Sequence, residues 1–332
     1  APVTRIEGHL RIELETDTGG VITAAYASGT MVRGIERILV GRDPRSAWAL
    51  AQRACGVCTL VHGLASVRAV EDAVGIRVPR AADLVRNLML AQQHVHDHVM
   101  HFYHLHAFDW VDALAALDAD PGETAALQAR ISAWPNASRD HFAAVQDRAR
   151  ALLTGAQPSL FASGPWGHPA YRLPPEADLL ALAHYFEAMD WQRTATRIQL
   201  LFGGKNPHPN LVVGGVPSPI DLSSPRAAGA EQLALVRASI ADIRRFVDEV
   251  YLPDVLAVAG HYLEEATRGE AVGNFLTWGE FPSGGAGEPG APAIPRALIL
   301  DRDTEEPVAV DPREPDRLQE YVARSWYRYG AG

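Results

Sequence analysis

The chain has 332 residues, of which 47% are hydrophobic and 21% charged, so it can build a sizeable core as one large domain or two moderate ones. Its formal net charge of -10, from 40 acidic and 30 basic residues, argues against nucleic acid as a partner, because phosphate-backbone binding needs clustered Lys and Arg. No apolar run reaches the roughly 18 to 20 residues that span a bilayer, and two cysteines cannot form a disulfide framework for this length.

The first predicted element is a β-hairpin. Residues 10–15 and 21–26 alternate apolar with polar side chains on either side of the turn-forming sequence DTGG. Asp43 and Pro44 then have the character of an N-cap and a first helical residue. We expect the helix that they open to be interrupted at the glycine of CGVC, and a second helical run to follow over residues 60–74.

Helices are predicted for most of the remaining chain. Residues 82–117 contain neither Gly nor Pro and predict one long helix. Further helices are predicted near 138–154, 176–202 and 228–267, the last long enough to belong to a bundle. The pattern therefore predicts a mainly α chain with peripheral β structure, an α+β fold built on a bundle of long helices.

Two glycine-containing segments have a different character. Residues 279–296 are rich in Gly and Pro and predict a surface loop, with a short strand after them at 297–300. Residues 203–210, GGKNPHPN, have the glycines and the lysine of a phosphate-binding loop but neither its spacing nor its Ser/Thr. A nucleotide-phosphate site is therefore rejected.

The only two cysteines, Cys55 and Cys58, stand three residues apart, and His62 follows them. Two thiolates at this spacing can chelate one soft or borderline metal ion, and His62 lies on the same side if a helix resumes after Cys58. The alternatives are a reduced dithiol of the thioredoxin type and half of a zinc knuckle. A thioredoxin-type dithiol would lie in a βαβ pattern, and a zinc knuckle would need a second C-x-x-C. The sequence contains neither.

A run of histidines lies within the predicted helix of residues 82–117. Its members are His94, His96, His98, His101, His104 and His106. His94, His98 and His101 share one helix face, and Asp97 shares an overlapping face with His101 and His104, so a carboxylate/imidazole metal site is geometrically possible. The alternative is packing or hydrogen bonding between helices, which we expect for most of these histidines.

Two carboxylates near the N-terminus carry weaker signals. Glu7, in TRIEGH, precedes the first predicted strand, and a carboxylate at the edge of a buried element can relay protons because burial raises its pKa towards neutral. Most glutamates, however, are simply solvated. Glu36, in RGIE, is either a surface charge paired with Arg33 or an oxygen ligand for a hard cation.

Seven segments, taken in order, resemble one family. They are TRIEGHL, MVRGIE, GRDPR, RACGVCTLVHGLASVRAVEDA, HDHVMHFYHLHAFDWV, FGGKNPHPN and SWYRY. Together they are similar to the large, catalytic subunit of nickel-iron hydrogenases of the membrane-associated uptake type, and the R-I-E-G-H and R-x-C-G-V-C-x-x-x-H runs are highly specific. The resemblance spans the chain, so it implies one domain over residues 1–332, with a helical bundle around a buried metal site.

The resemblance implies roles for the residues at the matching positions. Cys55 matches a terminal nickel thiolate, and Cys58 matches the thiolate that bridges nickel to an iron with cyanide and carbonyl ligands. His62 matches a histidine that hydrogen-bonds the bridging thiolate. Glu7 matches the first proton relay, and Asp97 an acidic residue above the metals.

Two further residues match positions at the edge of that site. Glu36 matches a ligand, direct or through water, of a structural magnesium ion, and His208 matches a histidine that faces the proximal iron-sulfur cluster of the small subunit. The implied reaction is heterolytic cleavage of dihydrogen to protons and electrons. The electrons leave through iron-sulfur clusters in that partner subunit, and a membrane b-type cytochrome is the implied next partner.

The sequence departs from the family pattern in its cysteines. The nickel-iron site takes four, and the second pair belongs to a D-P-C-x-x-C-x-x-H segment that this sequence does not contain up to Gly332. We therefore expect the chain to be an incomplete piece of the subunit that cannot assemble an active centre alone. The implied location is the periplasmic face of the cytoplasmic membrane, reached by export with the small subunit.

Three other functions compete with this interpretation. A hydrogen-sensing subunit would use the same site to signal to a kinase, although the HFYHLHAFDWV run favours the uptake type. A non-catalytic relative, like the scaffold subunit of respiratory NADH:quinone oxidoreductase, would have lost the thiolates. The third alternative is a plain zinc or dithiol protein.

Overall fold

A computed structural model describes residues 8–155, 161, 164–223, 229–267, 273–282, 292–300 and 306–311. Helices make up most of these residues, and the strands form two small antiparallel sheets at the periphery. The predicted α+β fold with a mainly helical body is confirmed. The prediction of a single domain over 1–332 remains a prediction.

The N-terminal hairpin is confirmed. β1 (Leu10–Thr16) pairs antiparallel with β2 (Ile22–Gly29), with Leu10 opposite Gly29. The Asp17 carboxylate closes the turn by accepting hydrogen bonds from the backbone N–H groups of Gly19 and Val21, at 2.9 Å each.

Short helical segments lead to the cysteines. The Asp43 carboxylate accepts a hydrogen bond from the Arg45 N–H and caps a 3₁₀ turn that begins at Pro44, as predicted. The helix is interrupted at CGVC, also as predicted, since Cys55 has extended backbone angles. The segments in order are α1 (Ile35–Leu39), α2 (Ala47–Ala51), a 3₁₀ turn (Gln52–Ala54) and α3 (Val61–Val74).

The long helix predicted for 82–117 is only partly correct. α4 (Arg80–Met100) continues through a π-helical turn (His101–His106) and a 3₁₀ turn (Ala107–Asp109), and the helical run is then interrupted until a second 3₁₀ turn (Ala115–Asp118). The reason is competition from side chains: the Asp178 carboxylate accepts the Asp112 N–H at 2.8 Å, and the Asp112 carboxylate accepts the Leu114 N–H at 2.9 Å.

The remaining helices form most of the core. A helix near 138–154 is confirmed, the one near 176–202 is divided at Thr196, and the one near 228–267 ends at His261 after a π-helical turn. The helix over Pro175–Ala195, α7, is buried along most of its length and packs against α4, α5 (Pro121–Ile131), α6 (Arg139–Thr154) and α9 (Ala230–Phe246). The bounds are α5 (Pro121–Ile131), α6 (Arg139–Thr154), α7 (Pro175–Ala195), α8 (Arg197–Gly203), α9 (Ala230–Phe246), the π turn (Val247–Tyr251) and α10 (Leu252–His261).

The surface loop predicted for 279–296 is wrong at both ends. β3 (Phe275–Pro282) and β4 (Pro292–Ile299) pair antiparallel there, and β5 (Val308–Ala309) adds to β4. Gly279 takes the left-handed backbone that glycine allows, at φ 85°, and the Arg296 guanidinium donates to the Trp278 carbonyl at 2.8 Å. The strand predicted for 297–300 is confirmed as the end of β4, and residues 283–291 lie outside the described part.

One hydrophobic cluster joins α3, α4 and the helices from α5 to α10. None of the helices in the described ranges is both long and apolar enough to cross a membrane. The helical core therefore holds α3 and α4 in place, and the loop that carries the two cysteines leads directly into α3.

Candidate metal centre

The loop that carries the cysteines is fastened at its N-terminal side. The Arg33 guanidinium donates to the Arg53 and Ala54 carbonyls at 3.0 Å each, which ties the segment after β2 to the residues that precede Cys55. The Gln52 amide, fully buried, donates to the Pro209 carbonyl at 2.8 Å. These bonds fix the backbone from which the first cysteine projects.

Cys55 and Cys58 face each other across this loop. Their Cα atoms are 5.6 Å apart, their sulfur atoms are in direct contact and the pair forms a disulfide. The Cys58 N–H donates a hydrogen bond to the Cys55 Sγ at 3.1 Å, and such a bond also stabilises a thiolate at that position. A cysteine ligates a metal as a thiolate, so metal binding by this pair requires that the disulfide be reduced.

Both cysteines line a cavity of about 460 Å³ that residues of α4 and of the π-helical turn after it also line. Those with metal-binding or acid-base side chains are His94, Asp97, His98 and His101. The structure thus brings Asp97 and the predicted face of three histidines together with the two sulfurs. His94, His98 and His101 are exposed, so the cavity is open on this side.

The Asp97 carboxylate is held from within its own helix. Oδ1 accepts a hydrogen bond from the Gln93 amide at 2.5 Å and lies 3.3 Å from the His96 Nδ1. Sequence reasoning missed Gln93, although its position four residues before Asp97 is a recognised spacing for side-chain pairs on a helix. Gln93 also donates to the Val57 carbonyl at 3.2 Å, so it contacts the cysteine loop itself.

The other histidines of the run have packing roles, as expected for most of them. His96 stacks on Trp191 with an angle of 11° between the rings. His104 lies between the Gln192 amide, at 3.1 Å from Nδ1, and the Tyr185 carbonyl, at 3.3 Å from Nε2, and burial lowers the pKa of His104. His106 accepts a hydrogen bond from the Trp110 indole at 2.9 Å.

His208 contacts the residue that follows the second cysteine. Its N–H donates to the Thr59 hydroxyl oxygen, and its Nδ1 lies 3.4 Å from the same oxygen. The backbone at His208 is left-handed, with φ 62°, an uncommon conformation for a residue with a side chain. Burial and the positive charges of Arg53 and Lys205 lower the pKa of His208.

Two predicted site residues, His62 and Glu36, are not assembled with the sulfurs in the described part of the chain. His62 is exposed in the first turn of α3, and the hydrogen bonds of the described residues include none from His62 to either sulfur. Glu36 is exposed in the first turn of α1, while Arg33, its alternative partner, donates to the two carbonyls instead. Glu7 lies outside the described residues. The roles of all three remain predictions.

The two cysteine sulfurs are the type of ligand that a soft metal prefers, but two ligands are too few to hold it. In the ranges that the structure describes, no three His, Cys, Asp or Glu side chains converge closely enough to hold a metal ion. Two sulfurs at the edge of an open cavity suit nickel or iron, which accept thiolate ligands. Cys55 and Cys58 therefore fit such a metal as two of its ligands, and the site needs others.

Comparison with known proteins gives a consistent family. The nickel-dependent hydrogenase family matches residues 33–332, and a family described as HoxL-like matches residues 1–28. The chain is 47% identical over 333 residues to the uptake hydrogenase large subunit of Rhizobium leguminosarum bv. viciae, covering 99% of this chain and 56% of that protein. It is 45% identical over 335 residues to the hydrogenase-1 large chain of Escherichia coli (strain K12), with the same coverages of 99% and 56%.

The fold of the chain also matches solved structures of hydrogenases. The Ni-Fe-Se hydrogenase from D. vulgaris Hildenborough in the reduced state superposes with a TM-score of 0.73 at 29% identity, over 98% of this chain and 56% of that one. The chain thus spans little more than half the length of the relatives it matches.

Proposed function

Because this chain belongs to the nickel-dependent hydrogenase family, we propose that it provides half of the thiolate ligands of a nickel-iron centre in an uptake hydrogenase. The observation that carries the proposal is the convergence of Cys55 and Cys58 at a cavity that Asp97 also lines. The other two thiolates are proposed to come from the part of the large subunit that the relatives possess and this chain does not span.

The proposed reaction is heterolytic cleavage of dihydrogen. When bound, the metal pair, with cyanide and carbonyl ligands on iron, supplies the Lewis acidity and the redox capacity. The chain supplies Cys55 and Cys58 as thiolates, and the Cys58 N–H stabilises negative charge on the Cys55 sulfur. A thiolate is also a base, so this pair can accept the proton that cleavage releases.

The surrounding residues are assigned to the handling of protons and charge. Asp97 lines the same cavity as the two cysteines and adds a carboxylate to it. Glu7 is proposed as the first carboxylate to take the departing proton, and His62 as the hydrogen-bond partner of the Cys58 sulfur. Glu36 is proposed as a magnesium ligand.

Electron transfer defines the proposed partners. His208, fixed on Thr59 beside the cysteine loop, is proposed to face the proximal iron-sulfur cluster of a small subunit in a heterodimer. The next proposed electron acceptor is a membrane b-type cytochrome, and the proposed location of the complex is the periplasmic face of the cytoplasmic membrane. The names of the relatives, which are uptake hydrogenases, favour this role over a hydrogen sensor.

The proposal is tested by replacing each cysteine in the full-length subunit, purified with its partner. Cys55→Ser and Cys58→Ser should each abolish hydrogen uptake and lower the nickel content, because a neutral hydroxyl is a poor substitute for a thiolate on a soft metal. Val61→Ala changes another residue of the cavity wall and should keep both metals. Elemental analysis that finds zinc without nickel or iron in the wild-type complex would contradict the proposal.

A further inference from the structure

Three amide side chains form a hydrogen-bonded chain that ends on Asp97. The Asn206 amide donates to the Gln199 Oε1 at 2.7 Å, and the Gln199 amide donates to the Gln93 Oε1 at 2.7 Å. Gln93 in turn donates to the Asp97 Oδ1. Gln93 and Gln199 are 2% and 0% exposed, and every donor points towards the carboxylate, so each bond polarises the next.

A second branch of this chain reaches the Cys55 sulfur. The second hydrogen of the Gln93 amide bonds the Val57 carbonyl at 3.2 Å. That carbonyl belongs to the same peptide unit as the Cys58 N–H, which donates to the Cys55 Sγ at 3.1 Å. The Val57–Cys58 peptide unit is therefore held at both ends, by Gln93 and by the sulfur.

The orientation of the Gln93 amide is fixed by its three partners. Its nitrogen donates to two acceptors, the Asp97 carboxylate and the Val57 carbonyl, and its oxygen accepts from Gln199. A flipped amide would direct its oxygen at two other oxygens and its nitrogen at the Gln199 nitrogen. All three bonds would be lost at once, which in a buried site is costly.

We propose that Gln93 is a positioning residue of the candidate metal centre, and that Gln199 sets its orientation. Through one buried amide, Gln93 directs the Asp97 carboxylate and aims the Cys58 N–H at the Cys55 sulfur. The inference rests on the proposed function for its role in hydrogen cleavage, but the hydrogen-bond arrangement itself exists without metal.

The test compares two variants of the full-length subunit in its complex. Gln93→Met keeps the length of the side chain and removes its hydrogen bonds. Gln146→Met is the matched control, because Gln146 is also buried and its amide donates to three carbonyls, of Ala116 at 3.0 Å, Leu117 at 3.4 Å and Ala119 at 2.7 Å. Each variant loses three hydrogen bonds of a buried amide, but of the two residues only Gln93 bonds the cysteine loop.

The first readout is deuterium exchange of the Cys58 N–H in peptides that cover residues 55–60. Gln93→Met should accelerate this exchange about tenfold, the effect of losing one buried hydrogen bond, and Gln146→Met should leave it unchanged. Equal exchange rates in the two variants overturn the proposal. Gln199→Met, which touches neither Asp97 nor the loop, should produce an intermediate acceleration, and it gives the same test if Gln93→Met does not fold.

The second readout is the infrared spectrum of the carbonyl and cyanide ligands, together with nickel content. Gln93→Met should shift these bands and lower hydrogen uptake at unchanged nickel content, and Gln146→Met should change neither property. Unshifted bands with full uptake in Gln93→Met contradict the positioning role. A wild-type complex without nickel contradicts the proposed function instead, and the exchange result still decides the hydrogen-bond arrangement.

Discussion

At the scale of single residues, Asp178 is a carboxylate in the described part of the chain whose burial changes its acidity strongly. It is 1% exposed, one oxygen accepts the Asp112 N–H, and the other oxygen has no hydrogen-bond partner in the described part of the chain. Burial raises the pKa of Asp178 to about 8. Asp178 therefore carries a proton at neutral pH in the folded chain.

The buried proton makes stability depend on pH. The unfolded chain releases it near pH 3.8 and the folded chain near pH 8, so unfolding releases a proton between these values and stability falls as pH rises through this window. Asp178→Asn has no such proton and should gain melting temperature relative to wild type as pH increases from 5 to about 8. Calorimetry of the full-length subunit at several pH values measures this gain.

Asp190→Asn is the control, because Asp190 lies on the same helix with its side chain 76% exposed. It should not change the dependence of the melting temperature on pH. A melting-temperature difference between Asp178→Asn and wild type that is the same at pH 5 and pH 8 would refute the assignment.

The sequence predicted the cysteines and Asp97 as site residues, and the structure places all three at one cavity. Both signals are local, since a C-x-x-C spacing and a helical face can be recognised from residues that are close together in the sequence. Gln93 and Gln199 were missed as a pair because they are 106 residues apart, and only the packing of α8 on α4 brings them together.

At the scale of elements, a buried ion pair fixes α3 against α4. The Arg86 guanidinium donates to both oxygens of Glu71, at 2.6 and 3.0 Å, and these side chains are 2% and 6% exposed. Arg86 also donates to the Val212 and Gly215 carbonyls, and Glu71 accepts the Gly214 N–H. The pair therefore holds the helix that follows the cysteines in register with the cavity wall on α4.

Removal of one partner from this ion pair should strongly lower the free energy of unfolding. Glu71→Ala leaves the Arg86 charge buried without its counterion and should cost about 3–5 kcal/mol of unfolding free energy. Asp147→Ala is the control, because its ion pair with Arg150 is exposed and is worth about 1 kcal/mol or less. Urea unfolding of the full-length variants measures both, and equal losses would show that the buried pair has no special role.

Secondary structure was predicted best where the signal was a run of regular periodicity. The hairpin, the interruption at CGVC and the helix of 138–154 required only local patterns. The end of the helical run that continues from α4 to Asp109 depends on Asp178, which lies 66 residues from Asp112 and could not be predicted from residues 82–117 alone. Composition misled at 279–296, because prolines at 292 and 295 lie within a strand of a small sheet.

At the scale of the whole molecule, the candidate centre lies where the helical core meets solvent. Thr59 and Leu60, directly after the second cysteine, are buried at 3% and 1% exposure, whereas the histidines that line the cavity are exposed. The core thus orients the sulfurs from one side and leaves the other side accessible. This geometry leaves room on the open side for the further ligands that the proposed centre needs.

The central claim is that the sulfurs of Cys55 and Cys58 bind nickel. X-ray absorption at the nickel edge of the full-length complex measures this directly, because sulfur scatterers are distinguished from nitrogen and oxygen by their distance from the metal. The account predicts a sulfur-rich nickel environment in the wild type, and loss of sulfur scatterers or of nickel itself in Cys55→Ser. Nickel with only nitrogen and oxygen neighbours, or a spectrum that Cys55→Ser leaves unchanged, would contradict it.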